Sequence, residues 1–105
     1  MSKEQLERVS EYTENLLSLH RAPSQFRIFF QLLSTGRTMT VKEMAEENKL
    51  TEKATERATA KLLDRGLVER SMFREGGYTV NIRRVMISMY MTILELYSDY
   101  RERES

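Results

Sequence analysis

Apolar and polar positions alternate along the chain with two different periods. Leu6, Val9, Thr13, Leu16 and His20 recur three and four residues apart, a seam along one face of a helix over about residues 3–20. Arg21-Ala22-Pro23-Ser24 ends it, because the residue before a proline resists helical geometry. A second helix, about 24–34, carries Phe26, Phe29, Phe30, Leu32 and Leu33 around much of its circumference, as a helix inside a domain does. Gly36 stops it. Thr38-Met39-Thr40 reads as a short extended piece, and Thr40 with Glu43 forms a capping box for a third helix over 41–48. Thr51 caps a fourth, which runs to about residue 65 and is closed by Gly66. Residues 67–73 and 78–82, around Arg74-Glu75-Gly76-Gly77, read as a β-hairpin. Alternation is clean in Tyr78, Val80 and Ile82 and poor in the first strand. A last helix over about 83–102 sets Met86, Ile93 and Tyr100 seven apart, with Met89 and Leu96 offset by three. That heptad pattern is too short to stand alone as a coiled coil and asks for a partner.

The expected architecture is α+β, about five helices with a two-stranded hairpin, in a single domain over 1–105. Residues 1–22 and 83–105 make a helical scaffold around a core unit at 23–82. A hydrophobic fraction of 40% in 105 residues gives a thin core, to which oligomerisation would add.

Composition removes several classes of function. The chain has no cysteine, which excludes disulfides, thiolate catalysis and cysteine-ligated metal. The start of the chain lacks the apolar segment of a signal peptide, and the longest uncharged stretch, Val85 to Leu94, is half of what a membrane helix needs. A cytoplasmic, nucleoid-associated protein with no membrane partner is the expectation. Net charge is only +1, so charge balance alone does not announce nucleic acid. Its distribution says more: both ends are rich in acids, and no acid occurs between Asn15 and Val41, where Arg21, Arg27 and Arg37 lie. Arg70, Arg74, Arg83 and Arg84 face a single Glu75 within residues 70–84. A basic middle between acidic ends suits a nucleic-acid face on a separate scaffold, and also ordinary surface scatter.

The order helix, helix, short strand, helix, turn, helix, hairpin, helix is the plan of a winged helix-turn-helix. Thr40-Val-Lys-Glu-Met-Ala-Glu-Glu-Asn-Lys-Leu-Thr51 resembles the first helix and turn of that motif. Glu52 to Arg70, with Ala54, Ala58, Leu62 and Gly66-Leu-Val68, resembles its recognition helix and the entry to the wing. The resemblance is to regulators of the MarR and TrmB type, most of all the small archaeal leucine-responsive-regulator-like dimeric proteins. It implies a DNA-binding transcription regulator, dimerised through its first and last helices, with no cofactor. On that reading Lys53, Thr55, Glu56, Arg57, Thr59 and Lys61 are the major-groove candidates, with Arg57 suited to guanine. Thr38, Thr40, Lys42 and Thr51 stand at helix starts where amides take a phosphate. Arg70 and Arg74 would let the hairpin reach the minor groove or the backbone. Leu6, Val9, Thr13, Leu16, Met86, Met89, Tyr90, Ile93, Leu96, Tyr97 and Tyr100 are the dimer candidates.

Plainer readings stand beside these. Glu52 and Glu56 repel phosphate; one can accept from a cytosine amino group, or both can be surface partners of Lys53 and Arg57. Thr55 can pack in the core. His20 is a helix-end residue or a ligand and pH sensor. Met86, Met89 and Met91 suit packing better than metal ligation. No acid–base pair with a nucleophile, phosphate loop or metal spacing marks an enzyme. The rival functions are a winged helix that binds protein and a nucleoid protein without sequence choice.

Overall fold

The computed structural model describes residues 2–104. Among them the chain is α+β, with five α-helices and one small antiparallel sheet of three strands. Helix α1 spans Lys3–Leu17 and opens on a reciprocal capping box between Ser2 and Gln5. The expected last turn of this helix tightens into a 3-10 turn at Ser18–Arg21, as the chain prepares for Pro23. Helix α2, Pro23–Thr35, takes that proline in its first turn, where no amide is needed, and ends on Gly36 in the left-handed region at φ 64°.

Strand β1, Met39–Thr40, leads directly into helix α3, Val41–Asn48. The Thr40–Glu43 capping box is present in full: the Thr40 hydroxyl accepts from the Glu43 amide, and the Glu43 carboxylate accepts from the Thr40 amide at 3.1 Å. Lys49 closes α3 with a left-handed φ of 56°. Thr51 then caps helix α4, Glu52–Asp64, its hydroxyl accepting from the Ala54 amide at 3.1 Å.

The hairpin differs from the two longer strands expected. Its strands are β2, Glu69–Arg70, and β3, Gly77–Thr79. Pairing is so short because Leu67 and Val68 are drawn into the core before β2 begins. At the far end Asn81 turns the chain into helix α5, Ile82–Glu104, its side-chain oxygen accepting from the Arg84 amide at 3.2 Å. Ile82, expected to end a strand, therefore starts a helix. The third strand is β1, which pairs with β3, Met39 opposite Tyr78, so the sheet runs β1-β3-β2.

The core lies where α2, α4 and the sheet converge, around Ile28, Phe29, Leu32, Met44, Leu62 and Val68. Arg65, just past α4, ties three elements together. It donates to the Gln25 side chain and the Asn15 carbonyl, both at 2.9 Å, and to the Ser18 hydroxyl. Asn15 returns the contact by donating to the Arg65 carbonyl at 3.1 Å. On the other side α1 packs along the first part of α5, where the Thr13 and Ser88 hydroxyls meet at 2.7 Å. Tyr12 is buried beside this seam, and its phenol, pushed up to about 12 chiefly by burial, stays neutral; Arg84 opposes the shift and Glu69 adds to it. From Ile93 onward every described residue of α5 is exposed. The helix thus overhangs the body, and the molecule measures 52 × 27 × 21 Å. Among the described residues no helix is long and apolar enough to cross a membrane.

Candidate nucleic-acid interface

Helix α4 has two clearly different faces. Thr55, Ala58, Thr59 and Leu62 are buried, a stripe at i, i+3, i+4 and i+7. The hydroxyls of Thr55 and Thr59 are consumed inside the helix, donating to the carbonyls of Thr51 and Thr55 at 2.9 and 2.7 Å. Burial and back-bonding remove both threonines from the set of base-contact candidates. The opposite face leaves Glu52, Lys53, Glu56, Arg57, Lys61 and Asp64 exposed. Three acids stand among three bases, so this face is close to neutral. Arg57 and Lys61 border a shallow groove against the start of α2, at Pro23, Ser24 and Gln25.

Thr51 is exposed at the cap of α4, and Lys42 is exposed in the first turn of α3. Thr40 is half-buried with its hydroxyl held by Glu43, so that hydroxyl is committed to the cap. Thr38 is half-buried; its methyl lies where a Cβ on Gly77 would have to go, which makes glycine obligatory there without a shift.

Arg74 departs most from expectation. It was expected to extend from the hairpin tip. Instead its guanidinium folds back, pairing with Glu43 at 2.7 Å and donating to the Thr38 carbonyl at 3.2 Å. The backbone amide of Thr40 bonded to Glu43 is the main reason its carboxyl is held below the usual glutamate value, and Arg74 contributes. Arg70 lies over the Tyr78 ring, 5.7 Å from its centroid, an exposed cation–π contact. Arg84 pairs loosely with Glu69 at 3.8 Å.

What the hairpin presents outward is Met72 and Phe73, 93% and 99% exposed. Composition and charge gave no reason to single these two out. The usable signal was two adjacent large apolar residues, separated from a glycine pair only by Arg74-Glu75, in a run that breaks strand alternation.

The dimer candidates divide into two groups. Thr13 and Leu16 are covered within the chain, Thr13 by Ser88 and Leu16 by packing on the core, and Val9 is half-buried beside Tyr12 and Ile87. These three are occupied by the chain's own fold and leave the proposed seam; Leu6 remains exposed. Met86, Met89, Tyr90, Ile93, Leu96, Tyr97 and Tyr100 are all exposed, in one stripe down α5. The stripe continues into an apolar groove that the sequence reading did not anticipate, walled by Leu17, Phe26, Phe30 and Leu33. Phe26 and Phe30 stack there with ring centroids 4.6 Å apart. His20 lies on the 3-10 turn, its Nδ1 2.9 Å from the Leu17 carbonyl. Among the described residues no group of three or more His, Asp or Glu is placed to hold a metal ion.

No protein-family model matches the chain, and comparison with curated proteins and with solved structures finds no match.

Proposed function

We propose that the chain is a winged helix-turn-helix protein that binds double-stranded DNA as a homodimer and regulates transcription. The observation that carries the reading is the two-faced α4: one side is locked into the core, and the other offers Lys53, Glu56 and Arg57 on a rigid, exposed first half. A helix anchored in this way can lie in a major groove with those side chains at base edges. The adjoining three-stranded sheet supplies the wing, and Lys42 and Thr51 stand at helix starts suited to phosphate. Dimerisation follows from the apolar stripe of α5, whose seven exposed Met, Ile, Leu and Tyr side chains are more than a monomer leaves in water. A two-fold pair would read a roughly palindromic site.

The near-neutral face of α4 favours a second reading, in which the same winged helix binds protein. Electrophoretic mobility of sheared genomic DNA at low salt separates the two. Retardation at low micromolar protein supports DNA binding, and retention of selected fragments under excess random competitor supports sequence choice over nucleoid-like coating. Unretarded DNA at low salt would leave the protein-binding reading.

A further inference from the structure

We propose that Met72 and Phe73 form an apolar wedge that enters the minor groove of duplex DNA and unstacks one base step. This rests on the reading of the chain as a DNA-binding protein and adds how its hairpin engages the duplex.

The turn is built to hold these two side chains in solvent. The Ser71 hydroxyl accepts from the amides of Phe73 and Arg74 at 3.1 and 3.0 Å. The Ser71 amide donates to the Gly77 carbonyl at 2.8 Å, and the Gly77 amide to the Arg74 carbonyl at 3.0 Å. Gly76 supplies the positive φ of 73° that closes the loop. Arg74 then latches the turn to α3 through Glu43 and the Thr38 carbonyl. A loop with its backbone tied at this many points does not need Phe73 and Met72 for its own structure, since both side chains are almost wholly in water. Both side chains are therefore free to make a contact outside the chain.

The size of that surface selects the partner. Two side chains on a convex tip offer a few hundred Å² at most, against about 800 Å² per side for a standard protein interface. One or two apolar side chains are what minor-groove proteins insert between base pairs to kink the duplex. Arg70 is exposed on β2, over the Tyr78 ring, and Arg37 is exposed just before β1 of the same sheet, while Arg74 beside Phe73 is held by Glu43 and adds to the cationic side only when that pair opens; Glu75 is the acid next to it. Flexible pyrimidine–purine steps in A/T-rich DNA are the expected substrate, because they unstack most easily and their grooves attract arginine.

The chain contains no tryptophan, so Phe73→Trp places a single fluorophore at the tip. The full-length protein is titrated with end-labelled A/T-rich and G/C-rich duplexes. Anisotropy reads binding, tryptophan emission reads the tip, and energy transfer between the DNA ends reads the kink. Expected are quenching of the tip emission on the A/T-rich duplex, from base stacking, and a rise in end-to-end transfer. Expected also is an about tenfold weaker Met72→Ala/Phe73→Ala protein that no longer kinks the DNA. Binding by anisotropy with unchanged tip emission, unchanged transfer and full affinity of the double variant overturns the wedge while leaving DNA binding intact. No anisotropy change on any duplex at low salt overturns both. A blue shift of the tip emission that grows with protein concentration without DNA assigns the tip to a protein contact instead.

Discussion

Arg74 and Glu43 meet at 2.7 Å and close the hairpin onto the start of α3, across 30 intervening positions of chain. The pair sets an acid against the one arginine nearest the tip. Glu43→Gln keeps the capping box, because glutamine serves that role equally, and removes only the charge. The freed Arg74 then has a phosphate as its best partner. Expected is tighter DNA binding at low salt, with a log–log salt slope steeper by about 0.9. Affinity titrations at several salt concentrations check it; an unchanged slope would mean that Arg74 stays away from the backbone.

The same pair has a defined pH response. The Glu43 carboxyl is held below the ordinary 4.5, first by the Thr40 amide and with help from Arg74. Its contribution to stability is therefore fully present above 4.5 and is lost as pH falls through the lowered value. Followed by NMR, the Thr40 amide, which donates to this carboxylate, should shift through that acidic window, and in Glu43→Gln that step should be lost.

Arg57 is one of the base-reading candidates that the fold leaves exposed on α4, with Lys53, Glu56 and Lys61. Arg57→Ala should cost about 1–3 kcal/mol at a preferred site and much less on random DNA. Equal losses on both would make it a phosphate contact. Thr59→Val should leave DNA affinity unchanged, since Thr59 is only 1% exposed.

Ile93 and Leu96 lie on the exposed stripe of α5, and Phe30 lines the groove beside it. Ile93→Asp with Leu96→Asp should give monomers by light scattering, and Phe30→Asp should weaken the same association. A wild-type monomer at micromolar concentration would remove the homodimer from the proposal.

Tyr12 is 6% exposed, and among the described residues its hydroxyl has no hydrogen-bond partner. An unsatisfied buried hydroxyl carries a desolvation cost of about 1–3 kcal/mol. Tyr12→Phe should therefore raise thermal stability, read as a higher Tm. A lower Tm would show that the hydroxyl is satisfied in solution.

The helices were legible because their signals are local. Thr40 and Glu43 stand three apart ahead of an apolar run, and Gly36 and Gly66 sit where helices must end. The inward face of α4 was harder to read, because two of its four buried residues are threonines that pass for surface groups until their hydroxyls turn back onto the helix. The third strand escaped notice because two residues carry no period. The Arg74 latch escaped because it joins positions brought together only by the sheet. Thr13 and Leu16 share the helical spacing of an intermolecular seam, and spacing cannot tell a partner's helix from the chain's own α5.

The overhang of α5 has a thermodynamic consequence. Residues 93–104 are helical yet exposed throughout, and a segment of that length is near the lower limit of about 12–15 residues for a helix that persists alone in water. Its backbone hydrogen bonds then gain protection only when something lies against them. Amide exchange in this segment should be fast in dilute solution and slow as concentration rises, while α2 and α4 exchange at a constant rate. Far-ultraviolet ellipticity should deepen over the same concentration range, so that order at this end of the molecule becomes a gauge of how many copies are present.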